Sequence, residues 1–98
     1  MTYLIFCTFD LKNASAADYK NAYSDLENIG LKKVHKGSNG KNVVIPTTAA
    51  MGEFNGTSVG NVRDDICNQV QNAFSKRGFK SEIFIIVGGD WAWGSRTT

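Results

Sequence analysis

Asp10 is the residue of this sequence best placed to do chemistry. It closes the apolar run from Tyr3 to Phe9, and a run so rich in aromatic and β-branched residues is typical of a strand buried on both faces. A carboxylate at the end of a rigid central strand has the firm mount that a metal ligand or a general base needs. The alternative is that Asp10 caps the next loop by accepting from the amide of Lys12 or Asn13, a common role of aspartate in turns.

A second copy of the chain would strengthen the chemistry open to Asp10. Two Asp10 carboxylates brought together across a two-fold axis, with a divalent ion such as Mg²⁺ between them, could activate water against a phosphodiester. Without a metal, the same carboxylate could accept a proton as a general base. Lys12, Lys36 and Lys41 are the cations that would steer a phosphate backbone to it.

Other acidic and aromatic side chains have plainer explanations. Asp90 follows Gly88 and Gly89 and suits a turn, with a place in a metal cluster as the alternative. Trp91 and Trp93 could stack on bases, or could pack at a core edge or a subunit contact. The pair Asp64 and Asp65 falls in the first turns of a predicted helix, where negative charge complements the helix dipole.

The cysteine and histidine residues give little indication of a metal site or of a catalytic site. Cys7 and Cys67 are expected to be core thiols in a reducing compartment, with a disulfide or a metal pair as the lesser possibility. The single histidine, His35, argues against a zinc site and against acyl-transfer chemistry.

The charge is spread unevenly along the chain. The net charge of +2 is too small to indicate a nucleic-acid partner by itself. However, the segment 32–41 holds four lysines and His35, and a second basic cluster lies at 76–80. These clusters suit a solvated strand edge and a helix C-terminus, or a surface for a polyanion.

The elements that position these residues follow the order β-α-β-β-α-β. The predicted strands span 3–10, 31–36, 42–48 and 82–87, and the predicted helices span 16–28 and about 59–77. Ser15 is the expected N-cap of the first helix and Ser58 or Thr57 that of the second, and Asn39-Gly40 predicts a hairpin turn. The stretch 49–57, with its exposed-looking Phe54, is expected to be a loop. The order predicts one α+β domain over 1–98: a ferredoxin-like four-stranded antiparallel sheet, two helices on one face and a frayed tail at 95–98.

The predicted sheet leaves an apolar face uncovered. The first and last strands are apolar on both faces, so one set of side chains must find cover or form a large exposed patch. A homodimer that packs its open faces together is the simplest cover, and a C-terminal tail folding back through Trp91 and Trp93 is the alternative.

The opening third of the chain resembles a known family. FDLK at 9–12, YKNAYSDL at 19–26 and IGL at 29–31 are similar to the start of the virulence-associated protein D family of small ribonucleases. These are related to the CRISPR-associated adaptation protein and to the GhoS endoribonuclease antitoxin. The resemblance implies a ferredoxin-like dimer with an aspartate at the end of its first strand that supports RNA cleavage, and the matching residue is Asp10.

These observations predict a small endoribonuclease-like protein of toxin–antitoxin or phage-defence type, acting as a homodimer with Asp10 as metal ligand or general base. Two alternatives stay open. One is a non-catalytic protein-binding module, such as an antitoxin or a phage inhibitor, and the other is a dimer that binds RNA without cutting it. No apolar stretch is long enough for a membrane span, and we expect a cytoplasmic protein.

Overall fold

A computed structural model describes residues 1–98 as two helices and five strands, and the strands form two small sheets. In chain order these are β1 (Thr2–Leu11), α1 (Ala16–Ile29), β2 (Val34–Lys36), β3 (Asn42–Val44), β4 (Ala49–Asn55), α2 (Val59–Lys76) and β5 (Ser81–Gly88). Neither helix is both long and apolar enough to cross a membrane.

β1 is the centre of a three-stranded antiparallel sheet of order β4-β1-β5. Tyr3 pairs with Phe54 of β4, and Asp10 pairs with Glu82 of β5. Side chains of directly paired residues point to the same face of an antiparallel sheet, so this register fixes which residues of the three strands share a face. The prediction of a central first strand is confirmed.

The two helices begin and end where the sequence places their caps. Ser15 and Asp18 form a capping box, with the Ser15 hydroxyl accepting from the Asp18 amide at 3.2 Å. Gly30 ends α1 in the left-handed conformation at φ 114°, which glycine adopts without steric cost. The Ser58 side chain caps α2, and Gly78 follows that helix at φ 75°.

The core lies between the helices and the face of β1 formed by its odd-numbered residues. These side chains (Tyr3, Ile5, Cys7, Phe9 and Leu11) are all buried. α1 contributes Ala22 and Leu26 at helical spacing, and α2 contributes Val62, Ile66, Val70 and Phe74. Phe9 contacts Phe74 edge to face, with ring centroids 5.5 Å apart. The prediction that β1 is buried on both faces is therefore wrong, because Leu4, Phe6 and Thr8 lie on the face that the helices leave open and stay partly exposed.

The segment expected to be a loop is instead β4, so that prediction is wrong. Ala49, Ala50 and Gly52 are buried, and Phe54 packs against the core. A Cβ at Gly52 would collide with the carbonyl oxygen of Gly30. Small residues are therefore needed where this strand passes under the end of α1. They obscure the alternation of apolar and polar side chains by which a strand is predicted.

The predicted second and third strands shrink to a hairpin outside the main sheet. β2 and β3 pair only with each other, around the turn at Asn39-Gly40, which was correctly predicted. Lys32 alone bridges to Met51 of β4 through two backbone hydrogen bonds of 2.9 Å. β3 ends at Val44, ahead of Pro46, which cannot donate to a ladder. The structure is therefore α+β with a three-stranded and a two-stranded sheet, rather than the expected sheet of four strands.

One edge of the main sheet has no partner strand, because β5 pairs only with β1. The Lys12 amide donates to the Lys80 carbonyl at 2.8 Å, and this bond sets the phase of the ladder. By that phase, the odd-numbered residues Ile83, Ile85 and Val87 turn their backbone N–H and C=O groups away from β1, toward the free edge.

Candidate functional site

Asp10 lies on the face of the sheet that the helices leave open. It is opposite Glu82 in the register, so the two carboxylates stand side by side at one end of β1 and β5. The side chain of Asp10 is 62% exposed and that of Glu82 is 75% exposed. Thr8 and Phe84 continue the same two columns and, with the carboxylates, line a surface depression.

Lys12 holds the two carboxylates together. Its Nζ lies 3.3 Å from Glu82 Oε1 and 3.7 Å from Asp10 Oδ2. The pKa of Lys12 is raised above its ordinary value, first by the hydrogen bond and charge of Glu82 and then by the charge of Asp10. Lys12 therefore remains an ammonium ion at neutral pH, next to the proposed reacting carboxylate.

Tyr19 fixes the orientation of Asp10 from the other side. Its hydroxyl lies 3.2 Å from Asp10 Oδ1 and 3.3 Å from the Leu11 carbonyl oxygen, the two acceptors that share its single proton, and it accepts from the Leu11 amide at 3.2 Å. The capping box at the start of α1 places Tyr19 in the first turns of that helix, directly above the end of β1. The proposal that Asp10 caps the loop through the amide of Lys12 or Asn13 finds no such hydrogen bond in the structure.

The donor set around Asp10 is a poor fit to magnesium within one chain. Mg²⁺ is held by carboxylates and waters, and here the space between the two carboxylates belongs to a lysine ammonium group. No three His, Cys, Asp or Glu side chains come close enough to hold a metal ion. The arrangement of a carboxylate, an ammonium group and a phenol hydroxyl suits proton transfer better than metal binding.

The structure separates the predicted phosphate-steering lysines into two places. Lys12 is part of the Asp10 cluster, whereas Lys36 and Lys41 flank the turn of the β2–β3 hairpin. Both hairpin lysines are exposed and form no ion pair. They do not share a cavity lining with Asp10.

The open face carries exposed apolar side chains beside this cluster. Phe84 is 63% exposed and Ile86 is 59% exposed, both in the β5 column that begins at Glu82. The other half of the face is covered in part by the chain itself, because Trp93 of the C-terminal tail lines a cleft with Phe6 and Met51. The tail thus supplies some of the cover that the sequence demands, and Phe84 and Ile86 remain bare.

The remaining candidate residues lie away from Asp10. Asp90 is exposed in a bend after β5, and Asp64 is exposed on α2, paired with Arg63 at 2.9 Å. Cys7 and Cys67 are free thiols; Cys7 lies in the core, which was expected of both, whereas Cys67 is only partly buried.

Two members of the cluster were missed from the sequence. Glu82 was seen only as the first residue of the last strand, and the register that sets it beside Asp10 is a long-range property. Tyr19 stands in the stretch 19–26 that carries the family resemblance, and nothing in the sequence indicates a partner for its hydroxyl. The alternation of Glu82 with Phe84 and Ile86 was the one available signal that these three share a face.

Comparison of the chain with protein-family models, with curated proteins and with solved structures finds no match in any of the three.

Proposed function

We propose that the protein is a small RNA-cleaving enzyme in which Asp10 acts as a general base. The observation that carries this proposal is the contact of one exposed carboxylate with both Lys12 and the Tyr19 hydroxyl. General-base chemistry on RNA needs a base for the 2′-hydroxyl and a cation for the phosphate, and this cluster offers both. The toxin–antitoxin or phage-defence setting rests on the resemblance of the first third of the chain.

The proposed reaction is an internal transphosphorylation. Asp10 accepts the proton of a ribose 2′-hydroxyl, and the 2′-oxygen forms a bond to the adjacent phosphorus. The bond from phosphorus to the 5′-oxygen breaks, and the leaving oxygen takes a proton from water, which leaves a 2′,3′-cyclic phosphate. Lys12 stabilises the charge on the phosphate oxygens, and Tyr19 keeps Asp10 oriented.

A homodimer is part of the proposal, and bare apolar surface supports it. Exposed Phe84 and Ile86 would be buried if two open faces met across a two-fold axis. Asp10 is on the same face, two residues along β1 from the partner of Phe84, so such an axis would bring the two Asp10 clusters toward each other. We also propose a ferredoxin-like ancestry for the fold, with its fourth strand reduced to the bridge at Lys32.

The test compares RNA cleavage by wild type and Asp10→Asn. Wild type should cut labelled single-stranded RNA equally well with magnesium and with a chelator, and should leave 2′,3′-cyclic ends. Asp10→Asn should lose cleavage without losing stability, because the side chain is exposed. Asp90→Asn, an exposed aspartate outside the cluster, is the matched control and should cut as wild type does.

Three outcomes would contradict this proposal. Cleavage that survives Asp10→Asn places the activity elsewhere or in a contaminant. Absence of cleavage by wild type, under all metal conditions, removes the enzyme proposal. Cleavage that requires magnesium would contradict the metal-free mechanism and restore the metal-assisted one.

A non-catalytic protein-binding module is the second candidate, favoured by the combination of bare Phe84 and Ile86 with the free edge of β5. A partner strand could add to that edge through main-chain hydrogen bonds while its side chains cover the apolar pair. This function would be favoured if wild type cuts no RNA but captures a partner protein, and if Phe84→Glu no longer captures that partner.

A further inference from the structure

The cleft between the β2–β3 hairpin, the open sheet face and the C-terminal tail plays no part in the proposed cleavage step. Its apolar walls come from all three: Phe6 and Met51 of the sheet, Val43, Ile45 and Pro46 of the hairpin and its exit, and Trp93 of the tail. The volume is about 280 Å³, at or just below the lower end for ligand sites. A cleft of this size suits one planar ring better than a large ligand.

Trp93 is held in place at the mouth of this cleft. The His35 ring meets the indole edge to face, with centroids 6.4 Å apart, and His35 Nε2 is itself 2.7 Å from the Lys32 carbonyl oxygen. Trp93 keeps 41% of its surface exposed. An indole that is oriented by a neighbour and still open on one side is a platform on which another ring can stack.

A polar depression continues from the apolar cleft along the hairpin turn. Val43, Trp93 and Arg96 line both, so the two form one surface. The polar part is lined by the hairpin residues Ser38 and Asn39 and by Arg96, whose guanidinium forms no ion pair. No acidic side chain lines either part.

Positive charge lies on the hairpin that forms one wall of this surface. Lys36 and Lys41 flank the hairpin turn and Lys32 precedes it, whereas Lys33 Nζ lies 4.5 Å from the centroid of the Tyr23 ring of α1. Lys32, Lys36, Lys41 and Arg96 are exposed and form no ion pair with any Asp or Glu, and Arg96 is the cation that lines the cleft itself. An apolar slot for a ring, bordered by unpaired cations and hydroxyl and amide groups, matches a nucleotide: a base inside and phosphates along the rim.

We propose that this cleft binds single-stranded RNA, with one unpaired base stacked on Trp93 and the flanking phosphates on Arg96 and the hairpin lysines. The proposal builds on the RNA substrate of the proposed function and assigns the binding site, on the β4 half of the open face, separate from Asp10. Because a paired base cannot leave its helix without cost, the cleft selects single strands.

The experiment measures the affinity of a fluorescently labelled single-stranded oligoribonucleotide for the full chain, in the Asp10→Asn background that prevents cleavage. Trp93→Leu should weaken binding by about tenfold or more, the loss expected for one base–aromatic stack. Trp91→Leu is the matched control, since Trp91 is also exposed but lines no part of the cleft, and it should change affinity less than twofold. Trp93→Phe should restore most of the binding.

A second measurement tests the phosphate contacts. Arg96→Gln should weaken binding and lower the slope of log affinity against log salt by about 0.7, the value for one single-strand phosphate contact. A duplex of the same sequence should bind more weakly than the single strand. Circular dichroism should show that all variants keep the wild-type fold, because Trp91, Trp93 and Arg96 all lie outside the helices and strands.

The proposal is overturned if Trp93→Leu binds as tightly as the control, if both tryptophan variants lose affinity equally, or if duplex and single strand bind alike. Its failure differs from failure of the proposed function. If RNA binds through Trp93 but is never cut, the binding cleft stands and the nuclease proposal is wrong. If Trp93→Leu binds RNA as tightly as wild type and still cuts it through Asp10, the nuclease proposal stands and the binding cleft is wrong.

Discussion

At Lys12, two carboxylates compete for one ammonium group, and the shorter contact is to Glu82 rather than to Asp10. Glu82 therefore anchors the lysine while Asp10 keeps lone pairs free to accept a proton. A single strand register creates this division of roles, since it depends only on Asp10 and Glu82 being opposite each other.

Lys12→Gln should lower the rate constant for RNA cleavage by about 100-fold, because it removes the charge that stabilises the phosphate in the transition state. Single-turnover cleavage measures this directly. Lys36→Gln is the control, which should weaken RNA binding and leave the single-turnover rate unchanged. Since the pKa of Lys12 is raised, the wild-type rate should not fall between about pH 8 and 10 through loss of this charge. Equal effects of both variants on the rate would contradict the assignment.

Cys7 provides a prediction about pH and stability. Burial raises the pKa of its thiol from the ordinary 9.0 to about 12, with the nearby Cys67 adding to the shift. Above about pH 9 the unfolded chain loses this proton while the folded chain keeps it, so the free energy of unfolding falls as pH rises, by up to about 1.4 kcal/mol per pH unit. Denaturant unfolding at several pH values should show a shallower fall for Cys7→Ala. An identical pH slope in both proteins would contradict this.

At the scale of elements, the sequence predicted those whose pattern is local. The burial periodicity of α1 and α2, their serine caps and the glycines after them, and the apolar runs of β1 and β5 all appear in the structure. The sequence did not predict β4, because the small residues of this strand are required by its contact with the end of α1. Gly52 must let the strand pass under the carbonyl of Gly30, and this contact joins residues that are distant in sequence.

Gly52→Ala should therefore destabilise the protein by about 2–3 kcal/mol, the cost of forcing a methyl group into a packed site. Gly88→Ala is the matched control: it is also a strand glycine, but a Cβ there meets nothing within 4 Å. Its free energy of unfolding should stay within about 0.5 kcal/mol of wild type. Thermal or urea unfolding of the two variants makes the comparison, and equal stabilities would show that β4 can move away from α1.

The candidate site was predictable only in part for the same reason. Asp10 was found because it ends a run of apolar residues, which is visible in the sequence. Its contacts with Glu82 and Tyr19 depend on strand register and helix placement. Lys36 and Lys41 were grouped with Asp10 by their charge alone, and the hairpin that carries them turned out to be a separate sheet.

For the whole molecule, the balance between covered and bare surface predicts assembly. The tail covers part of the β4 half of the open face, and Phe84 and Ile86 leave the β5 half apolar. Phe84→Glu with Ile86→Glu should convert the proposed dimer to a monomer, because a two-fold interface would then bury four like charges. Sedimentation equilibrium measures the mass. Val44→Glu, an exposed apolar residue on the hairpin, is the control and should remain dimeric. A wild-type monomer at all concentrations would contradict the dimer.

The free edge of β5 has a further consequence for the handling of this protein. From Ser81 to Gly88 it contains no lysine and no proline, the residues that usually prevent exposed sheet edges from pairing with one another. With this edge unpaired, the chain should add edge to edge into cross-β fibrils as it is concentrated, and Ile86→Lys, at an exposed position of β5, should delay that growth.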